Sequence, residues 1–591
     1  MEFNTLTDKN SDSYIIRKLL MGSLAVLIIV FLTSTIGMLV DGIIIGKCLG
    51  VDSTVAYGLA SPIFIFTAAI AGIFSTGCQT LCGSALGKGD IKKANEILSV
   101  STISSFIVGI VAMLILLVFI KPICMLLGAK SDVIYPLTRD YLFGLAFSVP
   151  IICCSSISSI MQLDKDKTRP IFSTIIMTII NIAGDLLNVY VFKGGMLGMS
   201  IATSISYLVS LIILCLHFSK KDILFKLSFK HIEWKHLKDV ITIGLPSAIS
   251  RASMPLRNLC INRLLLVVAS SSAVAAFSMQ GSLNSLFGSI GGAIGMSVLL
   301  VSGIIYGEED IPSISKLLKE ALKIGAVLTS IVAIILFIFA SFFTNLFLKD
   351  TSVLTLANTC VRFYAISIPL HTINTIFMNY YQGVHNVKLA HIIGVLDNFF
   401  YTTVLSLILG NIIGLNGVWM SLIISEIVMI ITILIIASLH NKKFPTSLDD
   451  LLLLSKEFGV SKEDRFDTSI TTMDEVINLS TRIEDFFKER NQYDTRSMSI
   501  ALCVEEMVGN IIEHGFNDNK KHSIDVRLIK KNDEYIIRIR DDCRPFDPGK
   551  QMELYNKDDE TSNVGLRMIY GLVKEVKYIN TMNMNNLMIR I

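Results

Sequence analysis

Apolar runs fill residues 19 to about 440, and short polar breaks cut them into segments of membrane-crossing length. A helix that crosses a bilayer needs about 20 such residues. The pattern predicts twelve spans, at 19–46, 54–86, 98–127, 136–164, 169–192, 196–217, 239–268, 273–305, 320–348, 353–383, 388–411 and 415–439. From Lys442 the pattern changes. KKFPTSLDDLLLLSKEFGVSKEDRFD is charged and broken by Pro and Gly, and reads as a linker with one short amphipathic helix. Helical periodicity returns at 472–490 and 495–514. Two alternating strands follow, SIDVRLIK and EYIIRIRD, with a turn around Asn532, then a helix near 564–574 and terminal strands. The expected fold class is therefore a membrane all-α protein of twelve transmembrane helices in two six-helix repeats, plus a C-terminal α+β domain with helices on a sheet. The boundaries are a first lobe at 15–217, a basic connection at 218–238, a second lobe at 239–440, a linker at 441–466 and the soluble domain at 467–591.

Composition supports this division. The 591 residues are 52% hydrophobic and only 17% charged, against about 25% charged in soluble domains. A net charge of +3 gives no reason to expect nucleic acid. The cysteines, among them Cys78, Cys82, Cys153 and Cys154, sit in apolar runs without paired metal-ligand spacing, as packing residues do. The placement of Lys and Arg sets orientation. Alternate connections carry Lys88, Lys92, Lys93; Lys165, Lys167, Arg169; the run at 220–238; Lys316, Lys319, Lys323; Lys388; and Lys442, Lys443. The others hold little beyond Lys47, Lys130, Arg139, Lys193 and Lys349. The rich set is expected to be cytoplasmic, with both termini, in the cell (plasma) membrane.

An internal repeat fits two like halves. Met161 to Asn181 matches Met378 to Asn398 in length, GMLGMSIA at Gly195 matches GLNGVWMS at Gly414, and GKGD at Gly87 matches GEED at Gly307. Charges inside spans are costly and mark candidate sites. Asp41 in the first span, Asp185 in the fifth and Thr203 in the sixth share one depth, about 10 Å below the outer surface at 1.5 Å per residue. Asn181 lies one turn from Asp185. Two carboxylates, an amide and a hydroxyl can hold Na⁺ or share a proton; the plainer alternative is that Asp41 and Asp185 cap or bridge helices. The second half carries Arg251, Arg257 and Arg263 on one helix and His371, Asp397 and Glu426 on others. Arg257 with Asp397 or Glu426 is read either as a structural pair or as a possible substrate cavity.

The soluble domain concentrates its chemistry in LCVEEMVGNIIEHGF, where Glu506, Asn510 and His514 recur every four residues on one helix face. A carboxylate can orient a hydroxyl or water, and an amide oxygen suits Mg²⁺. Asp541 ends a strand, where its carboxylate can accept from an exocyclic amine such as that of adenine. Gly565 opens a helix whose free N–H groups suit phosphate. A solvated polar stripe is the alternative for any one of these alone.

LVDGIIIGKCLG, GCQTLCGSALGKGDIKKAN, NIAGDLLN and GLPSAISRASMPLRN resemble the multidrug and toxic compound extrusion (MATE) family over about residues 15 to 440. That resemblance implies secondary-active export of organic cations or drugs by Na⁺ or H⁺ antiport, with Asp41, Asn181, Asp185 and Thr203 as the cation or proton site. The family's seventh-helix carboxylate is replaced by arginine. EEMVGNIIEHGF, DDCRPFDP and NVGLRMIYGLV resemble the boxes of the histidine-kinase-like ATPase fold, most closely its anti-sigma-factor serine-kinase branch. The implied roles are catalytic base for Glu506, Mg²⁺ ligand for Asn510 and adenine contact for Asp541. ATP is expected against Asn510, His514, Asp541, Phe546, Gly565 and Leu566, under a lid at 549–562. Cys543 and Asn563 stand where that family has glycine.

No G-x-x-x-x-G-K-[ST] loop is present, which argues against an ABC-type power stroke. Three readings follow. The first is an ion-driven exporter in the lipid bilayer with small-molecule substrates and a regulatory ATP-binding domain. The second is a membrane sensor whose domain phosphorylates or sequesters a cytoplasmic protein partner. The third is a lipid or oligosaccharide flippase.

Overall fold

The computed structural model of the chain describes residues 14–228, 232–347, 351–455, 457–516, 520–531, 533–553 and 564–591. The first half is built from α1 (Tyr14–Ile44), α2 (Val51–Gly87), α3 (Ile91–Val118), α4 (Ile120–Leu126), α5 (Ile134–Ala146), α6 (Val149–Cys153), α7 (Ser156–Met161), α8 (Thr168–Leu187) and α9 (Gly195–Cys215). The second half comprises α10 (Leu237–Val268), α11 (Ser271–Gly307), α12 (Ile311–Ile338), α13 (Ala340–Phe347), α14 (Thr351–Gly383), α15 (Val387–Val395), α16 (Thr402–Ile413) and α17 (Leu415–Asn441). Among the described residues ten helices are long and apolar enough to cross a membrane. They become eleven if α5 and the segment Val149–Met161, which meet at 48°, form one bent span. The helix α10 has the length of a span, 32 residues, but Arg251, Arg257 and Arg263 and two internal prolines keep it outside that apolar set.

Each half has apolar clusters of its own. Ile44, Ala56, Leu142 and Met199 belong to one in the first half, and Ile261, Leu265, Phe277 and Trp419 to one in the second. The largest cluster joins both halves at one end, from Leu20 and Phe74 to Val298 and Tyr380, and takes in Ile579, Met582 and Met584 of the soluble domain. There α2 and α11 touch backbone to backbone. A Cβ on Gly87 would lie 2.1 Å from the Ile304 carbonyl oxygen, and one on Gly307 would lie 2.1 Å from that of Ser84, so only glycine allows the approach. The turns after both helices are alike. Gly89 and Glu309 take positive φ (76° and 57°). Asp90 and Asp310 then cap the next helix by accepting from Lys93 N (2.9 Å) and Ser313 N (3.1 Å).

The expected amphipathic linker helix is replaced by a single 3-10 turn, Leu448–Leu451, closed by a Ser447–Asp450 capping box. Its leucines are anchored instead of free. Tyr380 Oη donates to Leu452 O at 3.0 Å and Tyr381 Oη to Leu451 O at 2.7 Å. These hydrogen bonds hold the segment as a short turn that ends at Leu453, whose φ is +48°, so it does not run on as a helix.

The soluble domain opens with β1 (Arg465–Ile470), a strand that the sequence pattern did not predict. It continues through α18 (Met473–Lys488), α19 (Thr495–Gly515), β2 (Ile524–Lys531), β3 (Glu534–Asp541), α20 (Pro548–Glu553), α21 (Val564–Leu572), β4 (Glu575–Thr581) and β5 (Met584–Arg590). All pairings are antiparallel, in the order β1-β2-β3-β5-β4. Strand residues alternate between faces. Val526, Leu528, Ile537, Ile539, Leu587 and Ile589 pack against Leu479, Phe487, Val504 and Val508 of the helices. Asn532, Asn563 and most of the expected lid lie outside the described residues.

Candidate functional site

In the first half, α1, α8 and α9 bring Asp41, Asn181, Asp185 and Thr203 together. All four are buried, Asp185 completely. The Asn181 amide fits only with its nitrogen toward Asp41, donating at 3.1 and 3.3 Å to the two carboxylate oxygens. Its other amide atom then lies 3.4 Å from Thr203 Oγ1. The Asp185 side chain faces Asp41, and neither of its oxygens meets a donor among the described residues. Tyr57, stacked edge-on against Tyr141 at 5.5 Å, and Tyr207 stand within electrostatic range of Asp41. Sequence reading missed these tyrosines, because a ring in an apolar span looks like packing. Two enclosed carboxyls side by side, with no basic partner among the described residues, are costly to hold charged and can take a small cation or proton.

The second half solves a similar problem internally. His371 Nδ1 lies 3.1 Å from Glu426 Oε1 and 3.4 Å from Asp397 Oδ2. Asn374 Nδ2 donates to Glu426 Oε2 at 2.7 Å and Asp397 Oδ1 at 3.2 Å. Arg257 forms no ion pair with either acid among the described residues. Its Nε lies 3.4 Å from Asn258 Oδ1, and it shares a cavity of about 50 Å³ with Gln280, Tyr364, His371 and Glu426. The imidazole holds the place beside the acids that the sequence offered to Arg257.

The soluble domain holds a cavity of about 550 Å³, within the usual range for small-molecule sites. Glu506, Asn510, His514, Asp541, Phe546, Gly565 and Leu566 all line it. Asn510 Nδ2 donates to Glu506 Oε1 at 3.1 Å. That carboxylate leans on the first turn of α21, where a Cβ on Gly565 would sit 1.8 Å from Oε1. Asp541 Oδ1 accepts from Cys543 N (3.0 Å) and Asn585 Nδ2 (2.7 Å). Burial pushes its carboxyl up to about 6. Asn585, missed from the sequence, also donates to the Cys543 and Arg544 carbonyls at 3.2 Å each and fixes this loop. Only its alternation within β5 with Leu587 and Ile589 could have revealed it. Cys543 takes no positive φ, and its side chain lies over Gly515, where a Cβ would meet Cβ and Sγ at 2.9 Å. The cysteine therefore brings no left-handed backbone strain, and Gly515 leaves room for its side chain.

Long membrane helices enclosing unpaired carboxylates, joined to a helix-on-sheet domain with a nucleotide-sized cavity, define a membrane transporter with an ATPase-type domain. The chain belongs to the MatE family, whose model matches residues 27–187 and 246–410, and its C-terminus is a histidine kinase-like ATPase domain, matched over residues 472–591. It is similar to the multidrug export protein MepA of Staphylococcus saprophyticus, 23% identical over 403 residues covering 67% of this chain and 88% of that protein. It is likewise similar to the uncharacterized transporter YisQ of Bacillus subtilis, at 22% over 387 residues, 64% of this chain and 84% of that one. A multidrug resistance MATE family transporter of the MOP superfamily, solved in an outward-facing conformation, shares the fold. Its TM-score is 0.68 at 22% identity over 71% of this chain and 94% of that chain.

Proposed function

We propose that the chain is a secondary-active exporter of organic cations or drugs in the plasma membrane, with both termini cytoplasmic and α10 as a further span that completes twelve. Na⁺ or H⁺ enters the Asp41, Asn181, Asp185 and Thr203 cluster and drives export. The carrying observation is the enclosed Asp185 carboxylate, which meets no donor among the described residues and faces Asp41. A charge there costs about 2.5–3.5 kcal/mol even by the gentlest insertion scales. The cluster therefore holds a cation or proton when closed and exchanges it when open. The Gly87 and Gly307 contact between halves, with its matching turns, supports two like lobes that rock about their seam.

The ATPase domain binds ATP in the 550 Å³ cavity, with Asp541 accepting from the adenine amine. Asn510 is the Mg²⁺ ligand there, and the domain regulates transport. The test is efflux of fluorescent cations from proteoliposomes. Asp41→Asn abolishes it, whereas Asn510→Ala leaves a residual flux. Unchanged efflux in Asp41→Asn under an intact gradient would sink the reading. A second reading, phosphate transfer to a protein serine or threonine, is favoured by Glu506 standing in the same cavity beside Asn510. Label moving from ATP to a cytoplasmic protein in wild type and not in Glu506→Gln would establish it.

A further inference from the structure

The two faces of the soluble sheet serve different partners. On β2, β3 and β5 one set of alternating residues packs under the helices, and Asp541 and Asn585 in that set line the nucleotide cavity. The other set, Arg527, Lys531, Arg538, Arg540 and Asn586, meets the membrane bundle. Arg540 pairs with Glu308. Arg527 lies 3.4 Å from Asp310 and donates to Glu309 O at 2.9 Å, and Lys531 pairs with Glu309. These acids form the turn between α11 and α12 of the second half. The same sheet also grips the first half. Arg538 donates to Gly87 O at 2.9 Å, Thr581 Oγ1 to Leu163 O at 2.8 Å and Met582 N to Leu163 O at 3.2 Å. Asp542, next to the cavity residue Asp541, pairs with Lys18 of α1.

Glu308, Asp310, Arg527 and Arg540 are each less than 9% exposed. Burial pushes the Asp310 carboxyl up, but Arg527 and Arg540 outweigh it and hold it below the ordinary carboxylate range. Buried pairs of this kind are costly to break because each partner is left charged and dry. One rigid sheet thus spans the seam where Gly87 meets Ile304 and Gly307 meets Ser84. The lobes cannot part at that end while the sheet holds both turns.

We infer that the ATPase domain is a latch on the transporter: its basic sheet face bridges the two lobes and holds the end of the bundle that it covers closed. This rests on the proposal that the lobes alternate in opening. It adds that opening on the domain's side requires the sheet to release the Glu308–Asp310 turn or the Gly87 and Leu163 carbonyls. Because β3 carries the nucleotide contact on one face and the latch on the other, the cavity and the seam share one strand.

The test uses the full chain in membrane vesicles with the domain side outward. A Ser84→Cys variant, at a position buried in the seam, is labelled with a membrane-impermeant thiol reagent and quantified at residue 84 by mass spectrometry. With the interface intact, labelling is slow. Arg527→Glu with Arg540→Glu speeds it by about tenfold or more, the shift expected when a bistable element loses over 1.4 kcal/mol of bias. Adding Glu308→Arg and Asp310→Arg to that double variant restores slow labelling. Binding of a fluorescent ATP analogue checks that the reversed domain stays folded. Equal labelling rates in the intact and reversed proteins, or fast labelling that the swap fails to slow, would overturn the latch. The readout needs neither drug nor coupling ion. Absent dye efflux would therefore defeat the exporter reading and leave the latch to be decided by labelling.

Discussion

Two pairs of buried acids sit in the membrane bundle, and they are neutralised differently. Asp397 and Glu426 are bridged by His371 and by the Asn374 amide. Asp41 receives the Asn181 amide and Asp185 receives nothing among the described residues. The second-half pair meets an imidazole and an amide donor within the chain. The first-half pair has only the Asn181 amide among the described residues, which is why we propose a mobile cation or proton there. A carboxylate pair in a span is therefore informative only once its donors are counted.

The largest expected break in this contrast is functional. Asp185→Asn should reduce dye efflux to the rate of protein-free vesicles while leaving thermal stability equal or raised, since it removes an uncompensated charge. The opposite is expected in the second half. His371→Ala leaves two acids facing each other and should destabilise the protein, by less than the roughly 3–5 kcal/mol of a fully buried pair because the imidazole is only half-buried. A drop in melting temperature reads this, and a neutral His371→Ala would show that the second pair also draws on a mobile cation.

Smaller effects sharpen the same point in the nucleotide cavity. Asp541→Ala should weaken ATP binding by about 10–100-fold, the usual range for a lost hydrogen bond to a charged group. In the proposed role Asp541 accepts the adenine amine most strongly when ionised, and burial pushes its carboxyl up to about 6. Affinity should thus hold from pH 8 to 7 and fall about tenfold by pH 5, one decade per unit below that value. The same raised value means the folded domain binds this proton more tightly than the unfolded chain. Asp541 therefore disfavours folding above about pH 6, and that penalty fades as pH falls from 6 toward 4. Isothermal titration across pH, with Asp541→Asn as the flat control, separates the two. The smallest effect belongs to Cys543→Gly, which should change domain stability by under about 1.5 kcal/mol. A loss of several kcal/mol in a chemical melt would mean the thiol does more than fill space over Gly515.

Residue spacing made much of this legible. Glu506, Asn510 and His514 all line the cavity because i, i+4 positions share a face, and Asp41, Asn181, Asp185 and Thr203 meet because equal depth on neighbouring helices is readable from span lengths. Other features were hidden. Arg257 was a plausible partner for Glu426 by charge, but His371 occupies that position, and helix rotation cannot be read from one sequence. Arg527, Arg538 and Arg540 look like the solvated face of a half-buried sheet; their burial comes from a surface hundreds of residues away. The Leu448–Leu451 segment carries a helical pattern, yet it forms a single turn whose end Tyr380 and Tyr381 hold by their hydrogen bonds. Long-range docking decides these cases.

In the proposed mechanism an ion exchanged at Asp41 and Asp185, and not ATP, powers export. The direct measurement is cation-dye efflux from proteoliposomes in which the Na⁺ and proton gradients and the ATP supply are set independently. The account predicts export with a gradient alone and none with ATP and Mg²⁺ once both gradients are collapsed. Sustained uphill export on ATP without any ion gradient would contradict it.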